Sequence, residues 1–177
     1  MGAPVSSELL RSLEALVMDC DGVLTRGELF YDEAGRRLLA FDVKDGAGIA
    51  LLVKAGVKVG VLSGRPSDIA EQRHRELGVA QFVSRCHDKA EGLRAMCRDF
   101  GVAPEHCVYI GDDLADLPAF RVAGLRVAVA DACAEVASRA DWVTENEGGS
   151  GAVREVCEAV LKAKGVWSEL VAKLDGE

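Results

Sequence analysis

The chain has 177 residues, 49 % hydrophobic and 28 % charged, a balance that supports a core of its own without staples. Its net charge is −8 and it has no block of consecutive basic residues, which argues against nucleic acid or an anionic membrane as the main partner. No apolar run reaches the roughly 18 residues needed to span a bilayer, and aromatics at 5 % leave the core to Val, Leu, Ile and Ala.

The N-terminal segment MGAPVSSELLRSLEAL lacks a basic cluster ahead of an apolar stretch, so no secretory leader is expected. Cys20, Cys86, Cys97, Cys107, Cys133 and Cys157 form no C-x-x-C pair. They read as reduced, mostly buried thiols of a cytoplasmic protein. His74, His87 and His106 are not spaced to complete a zinc site.

The first apolar run, Ala15 to Met18, stops at Asp19. Glu28–Tyr31 and Arg37–Phe41 then flank Asp32-Glu33-Ala34-Gly35, which predicts a β-hairpin over about 28–41. Its apolar side chains and free edges predict packing on another subunit. Ile49, Leu52 and Val53 mark a helix face, and Val57–Leu62 is a strand ending at Ser63-Gly64. A second helix carries Ile69, Arg73, Glu76 and Leu77, with Pro66 as its expected first residue. Gln81–Val83 is a weaker strand. Asp88 and Glu91 predict a capping box for a helix whose face is Leu93, Met96, Cys97 and Phe100. Cys107–Ile110 ends at Gly111-Asp112, Leu125–Ala130 ends at Asp131, and Trp142–Thr144 is the last strand. Val153, Val156, Cys157, Val160 and Leu161 form the clearest helical stripe. Gly56, Gly78 and Gly101 each follow a helix, as C′ glycines do. The alternation predicts one α/β domain over 1–177: a Rossmann-like three-layer α/β/α fold with a mostly parallel sheet.

In open α/β sheets ligands bind beyond the carboxyl ends of the strands. The residues expected on that rim are Asp19, Asp21, Ser63, Gly64, Asp112 and Asp113, with Lys89 opening a helix nearby. Carboxylates crowded this way repel unless a cation sits among them, and an all-oxygen set with room for water and phosphate suits Mg²⁺. The set suits phosphoryl transfer. One aspartate attacks phosphorus, a second protonates the leaving oxygen and then activates water, and cations offset charge on the remaining oxygens. A helix starting just after Ser63-Gly64-Arg65 would add its positive end. The alternative from another class is a phosphoaspartate switch without turnover, but it has no need of Asp21 two residues after the nucleophile.

The segments MDCDGVLT, VLSGR, DKAEGL and YIGDDLADLPAF, in that order, resemble the four motifs of the haloacid dehalogenase superfamily of phosphatases. DGVLT followed by the hairpin, then FDVKDGAGI, VAVADA and GGSGAVREV, is similar to its capless members that act on sugar-acid phosphates. The resemblance implies Asp19 as nucleophile and Mg²⁺ ligand, and Asp21 as general acid/base and carbonyl ligand. It implies Asp112 as the third ligand with Asp113 close behind, and Ser63 and Lys89 on the phosphoryl group. Asp42, Val43, Lys44, Asp45 and Gly46, with Gly64, Arg65 and Arg73, would line the sugar-acid site. The implied substrate is an eight-carbon sugar acid 8-phosphate, with a nine-carbon sugar acid 9-phosphate as the alternative; Ser63-Gly64-Arg65 favours the former. A homotetramer built through the hairpin is implied as well. Ser150 and Ala50 stand where a basic side chain is common in such phosphatases, and Ser150 alone reads as a helix N-cap. The tail WSELVAKLDGE is helix-prone, which argues against its covering a neighbour's site.

Overall fold

The computed structural model describes residues 5–175. Residues 1–4 of the segment scanned for a leader, and the last two residues of the tail, lie outside them. A short helix α1 (Ser7–Ser12), not foreseen, opens the described chain with Ser6 as its cap and leads into β1 (Ala15–Met18). The hairpin follows as β2 (Phe30–Tyr31) and β3 (Arg37–Leu38). Then come α2 (Val43–Lys54), β4 (Lys58–Leu62), α3 (Asp68–Glu76), β5 (Gln81–Val83) and α4 (Lys89–Phe100). β6 (Cys107–Gly111), α5 (Leu117–Phe120), β7 (Leu125–Ala128), α6 (Ala134–Ala137), β8 (Trp142–Val143), α7 (Ala152–Ala163) and α8 (Trp167–Asp175) complete it.

Six strands form one parallel sheet in the order β5-β4-β1-β6-β7-β8. Strand period places alternate residues on opposite faces. Leu16 and Met18 of β1 and Val108 and Ile110 of β6 join the layer of α1, α2 and α7. Ala15, Val17, Cys107 and Tyr109 join the layer of α4, α5 and α6. β1 is buried throughout because it is central and covered on both sides. The stripe foreseen for α7 is wholly buried. No separate cap domain is distinguishable among the described residues.

Several local expectations shift. The hairpin strands are two residues each, and they form a sheet of their own. α3 begins two residues after Pro66, with Ser67 as its cap. Its inward face is Ala70 and His74, while Ile69 is 45 % exposed and Arg73 faces Glu76 at 3.4 Å. His74 is stacked on Phe82 with ring centroids 5.0 Å apart, and that contact turns Ile69 outward. Asp88 accepts from the Glu91 N–H at 3.0 Å, which is half of the foreseen capping box. All six cysteines are free. The tail folds back on α7, with the Arg154 guanidinium 5.4 Å from the Trp167 ring.

The sheet order reverses direction at β1. The chain runs outward through β4 and β5, then returns to β6 on the other side. Such a reversal opens a crevice at the carboxyl ends of the flanking strands. Met18 is in register with both Val61 and Ile110, so β1, β4 and β6 end almost level.

Candidate active site

Asp19 sits just past β1, where its N–H still donates to the Ile110 carbonyl at 3.0 Å. The chain then curls tightly: the Leu24 and Thr25 N–H groups both donate to the Cys20 carbonyl, and the Thr25 hydroxyl accepts from Gly22 and Gly27. Gly22 adopts φ +93° with its Cα against Asp112, and a Cβ there would overlap the Asp112 carboxylate.

Lys89, the first residue of α4, is 2 % exposed. Its ammonium lies 3.0 Å from Asp19 and 2.7 Å from Asp116. Burial alone would lower the Lys89 pKa, but Asp116 and then Asp19 more than reverse this, so the side chain stays protonated. Asp116 is fully buried. One of its oxygens accepts from Lys89 and from the Tyr109 hydroxyl, each at 2.7 Å. The other accepts from the N–H groups of Asp112 at 3.0 Å and Asp113 at 3.2 Å. All four lone-pair positions are filled. The sequence pattern alone did not single out Asp116 or Tyr109, yet this carboxylate holds the loop after β6 and the lysine in place.

Asp19, Asp112 and Asp116 bring carboxylate oxygens within 4.8 Å of one another. Since Asp116 is saturated, Asp19 and Asp112 are the two side chains free to take a cation. Burial, then Asp116, push Asp19 up to about 6, with Lys89 opposing. Burial, then Asp116 and Asp19, push Asp112 up to about 8. One Asp112 oxygen is buried with no hydrogen-bond partner. A buried, unpartnered oxygen between like charges is costly unless a cation meets it, and these oxygen donors fit Mg²⁺. Asp113, expected close behind Asp112, is exposed, and its carboxylate caps the 3-10 turn Leu114–Asp116 through the Leu114 N–H at 2.8 Å.

Asp21 stays at the rim, its side chain 25 % exposed, with the Arg65 guanidinium 3.9 Å away. Ser63 is buried, and its hydroxyl closes the turn by donating to the Arg65 carbonyl at 2.9 Å and accepting from the Arg65 N–H at 3.2 Å. Its own N–H is bound to the Val83 carbonyl, and α3 is capped by Ser67. The N–H groups of Ser63 and Arg65 are thus bonded within the protein, while Gly64 and Arg65 remain exposed.

The segment 42–46 divides. Asp42 caps α2 through the N–H groups of Lys44 and Asp45, and Val43 and Lys44 are exposed. Arg73 lies across this first turn, within 2.5 Å of where a Cβ on Gly46 would stand. Asp45 is corrected: it is 1 % exposed and turned inward. Its oxygens accept from the Gly151 N–H at 3.2 Å and the Arg154 N–H at 2.7 Å, so it caps α7 from across the fold. The N-cap position of α7 is Gly151, not Ser150, and the Ser150 hydroxyl instead accepts from Arg26 Nε at 3.0 Å.

A family profile described as haloacid dehalogenase-like hydrolase matches residues 74–156. The 3-deoxy-D-manno-octulosonate 8-phosphate phosphatase KdsC of Escherichia coli strain K12 is 38 % identical over 169 residues, covering 94 % of this chain and 90 % of that protein. The chain belongs to the haloacid dehalogenase-like hydrolases. The KdsC phosphatase of Haemophilus influenzae is 41 % identical over 88 % of this chain and 87 % of that protein. The crystal structure of the Moraxella catarrhalis 3-deoxy-D-manno-octulosonate 8-phosphate phosphatase, in complex with magnesium ion, phosphate ion and KDO, superposes with a TM-score of 0.91 at 35 % identity. It covers 95 % of this chain and 97 % of that one. The resemblance read from the four motifs is borne out across nearly the whole chain.

Proposed function

We propose that this hydrolase is a Mg²⁺-dependent phosphatase that converts 3-deoxy-D-manno-octulosonate 8-phosphate into the free sugar acid and inorganic phosphate. The observation that carries the reading is the convergence, at the carboxyl ends of β1 and β6, of Asp19 held by Lys89 with Asp112 bearing an unpartnered buried oxygen. The likeness to KdsC phosphatases over most of the chain supports the substrate.

Asp19 and Asp112 would hold the Mg²⁺, with the Asp21 carbonyl. The ion would offset the negative charge that otherwise keeps an anionic ester away from carboxylates. Asp19 attacks phosphorus, and the sugar alkoxide leaves as Asp21 delivers a proton to it. The aspartyl-phosphate is then opened by water as Asp21 takes a proton back. Lys89, kept charged by Asp116, meets the phosphoryl oxygens from the protein side. Ser63 reaches them when its hydroxyl turns from the Arg65 carbonyl. Arg65 and Arg73 stand toward the sugar. The whole chain acts as one hydrolase domain.

The hairpin supports assembly into a homotetramer: Phe30 is 49 %, Tyr31 63 % and Leu38 56 % exposed, a cluster that two-residue strands cannot bury alone. Arg37 donates to the Pro66 carbonyl at 3.1 Å, so the hairpin is tied to the loop after Ser63 and a neighbour packed on it would help cover the site. No helix among the described residues is long and apolar enough to cross a membrane, which accords with action in the cytoplasm.

The test is phosphate release across eight- and nine-carbon sugar-acid phosphates and simple sugar phosphates. The eight-carbon ester is expected to be hydrolysed fastest, with loss of activity in EDTA and in Asp19→Asn. Equal turnover across the panel would refute the substrate, and full turnover by Asp19→Asn would refute the covalent route.

A further inference from the structure

We infer that Arg26 supplies the cation that selects the substrate's carboxylate. The inference rests on the sugar-acid reading above and assigns the recognition to one side chain. In an eight-carbon sugar acid 8-phosphate the carboxylate and the phosphate occupy opposite ends. With phosphorus at Asp19, the group that reads the carboxylate must stand apart from the acid cluster, toward the open rim.

Several nearby cations already meet protein groups, while Lys44 stands exposed at the start of α2. Lys89 is locked between Asp19 and Asp116. Arg65 leans on Asp21, Arg37 donates to the Pro66 carbonyl, and Arg73 pairs with Glu76. Arg26 differs. It is exposed on the same loop as Asp19 and Asp21, and only its Nε is used, donating to the Ser150 hydroxyl at 3.0 Å. Among the described residues it has no ion pair, which leaves both terminal amino groups for a bidentate carboxylate contact.

The loop that carries Arg26 is rigidly placed. Gly149 donates its N–H to the Val23 carbonyl at 2.8 Å, and Gly148 packs so tightly on Gly22 that a Cβ there would overlap the Gly22 carbonyl. Gly22 in turn abuts Asp112. A continuous stack therefore runs from the acid cluster through Gly22 and the 148–150 turn to Arg26. Arg26, Thr25 and Gly149 line one side of a cavity of about 200 Å³, and Phe41 and Asp42, at the entry to α2, line the other. Glu28 also lines it, and its negative charge opposes an anion, whereas the Asp42 carboxylate is engaged with the N–H groups of α2. Phe30 and Ala40 complete the wall, so Arg26 lines a small recess of mixed polarity bordered by the segment expected to hold the sugar.

The test compares the 8-phosphate of the sugar acid with the same compound after reduction of its carboxylate to an alcohol. Losing a charge-assisted pair predicts that Arg26→Ala raises KM for the acid by about tenfold to a hundredfold, with kcat little changed. The reduced compound should respond equally to variant and wild type. Arg26→Lys should recover part of the affinity, and Ser150→Arg placed in the Arg26→Ala background should restore preference for the acid. If wild type shows no preference for the acid, the sugar-acid reading fails. If wild type prefers it and Arg26→Ala prefers it equally, the assignment to Arg26 alone is overturned.

Discussion

Loading the site with Mg²⁺ should expel protons, and the amount follows from the geometry. Asp19 titrates at about 6 and Asp112 at about 8, both above their ordinary 3.8, because burial and the Asp116 charge disfavour their anions. An acid held above its unfolded value binds more protons folded than unfolded, so the metal-free protein loses stability as pH rises through this window. Metal binding requires both anions. Between pH 6 and 8 one proton, that of Asp112, must leave; below pH 6 the Asp19 proton must leave too. Apparent Mg²⁺ affinity should therefore rise about tenfold per pH unit from 6 to 8, or about 2.7 kcal/mol in all, steepening below 6 and levelling above 8. Calorimetric titration at pH 7 in two buffers of different ionisation enthalpy would count the proton released, and Asp112→Asn should abolish that release. An affinity flat from pH 6 to 8, with no proton uptake by buffer, would refute this account of the acid cluster.

Asp116→Asn should leave the buried Lys89 ammonium short of an anion and the Tyr109 hydroxyl facing an amide. Breaking a buried pair from one side costs about 3–5 kcal/mol, so chemical denaturation should show a loss of that size, with turnover falling alongside; a loss under about 1 kcal/mol would contradict the bonding described. Replacing Phe30 and Tyr31 together by Glu should dissolve the proposed tetramer into smaller species by light scattering while the far-ultraviolet spectrum is kept. A tetramer that persists would show that another face holds the subunits together.

The chain announced its rim because each polar terminator directly follows an apolar strand, and strands in register bring their terminators level. Asp19, Ser63 and Asp112 were legible for that reason, and Lys89 through its cap. What stayed hidden depends on partners distant in sequence. Asp116 becomes the centre of the site only when Lys89 and Tyr109 arrive from α4 and β6. Asp45 reads as a substrate residue until α7 folds over α2 and takes its carboxylate. Arg26 acquires a direction only from Ser150, 124 positions away. The spacing of Ile69, Arg73, Glu76 and Leu77 marked a helix without its inward side, which His74 stacked on Phe82 settles.

Gly22 acts as a spacer defined by what it lacks. Because nothing projects from its Cα, the turn after Asp19 comes flush against Asp112, and the gap between these two acids is set by bare backbone. Even one methyl group at this position would pry the jaws of the proposed ion seat apart, so its bore is calibrated by the smallest residue available.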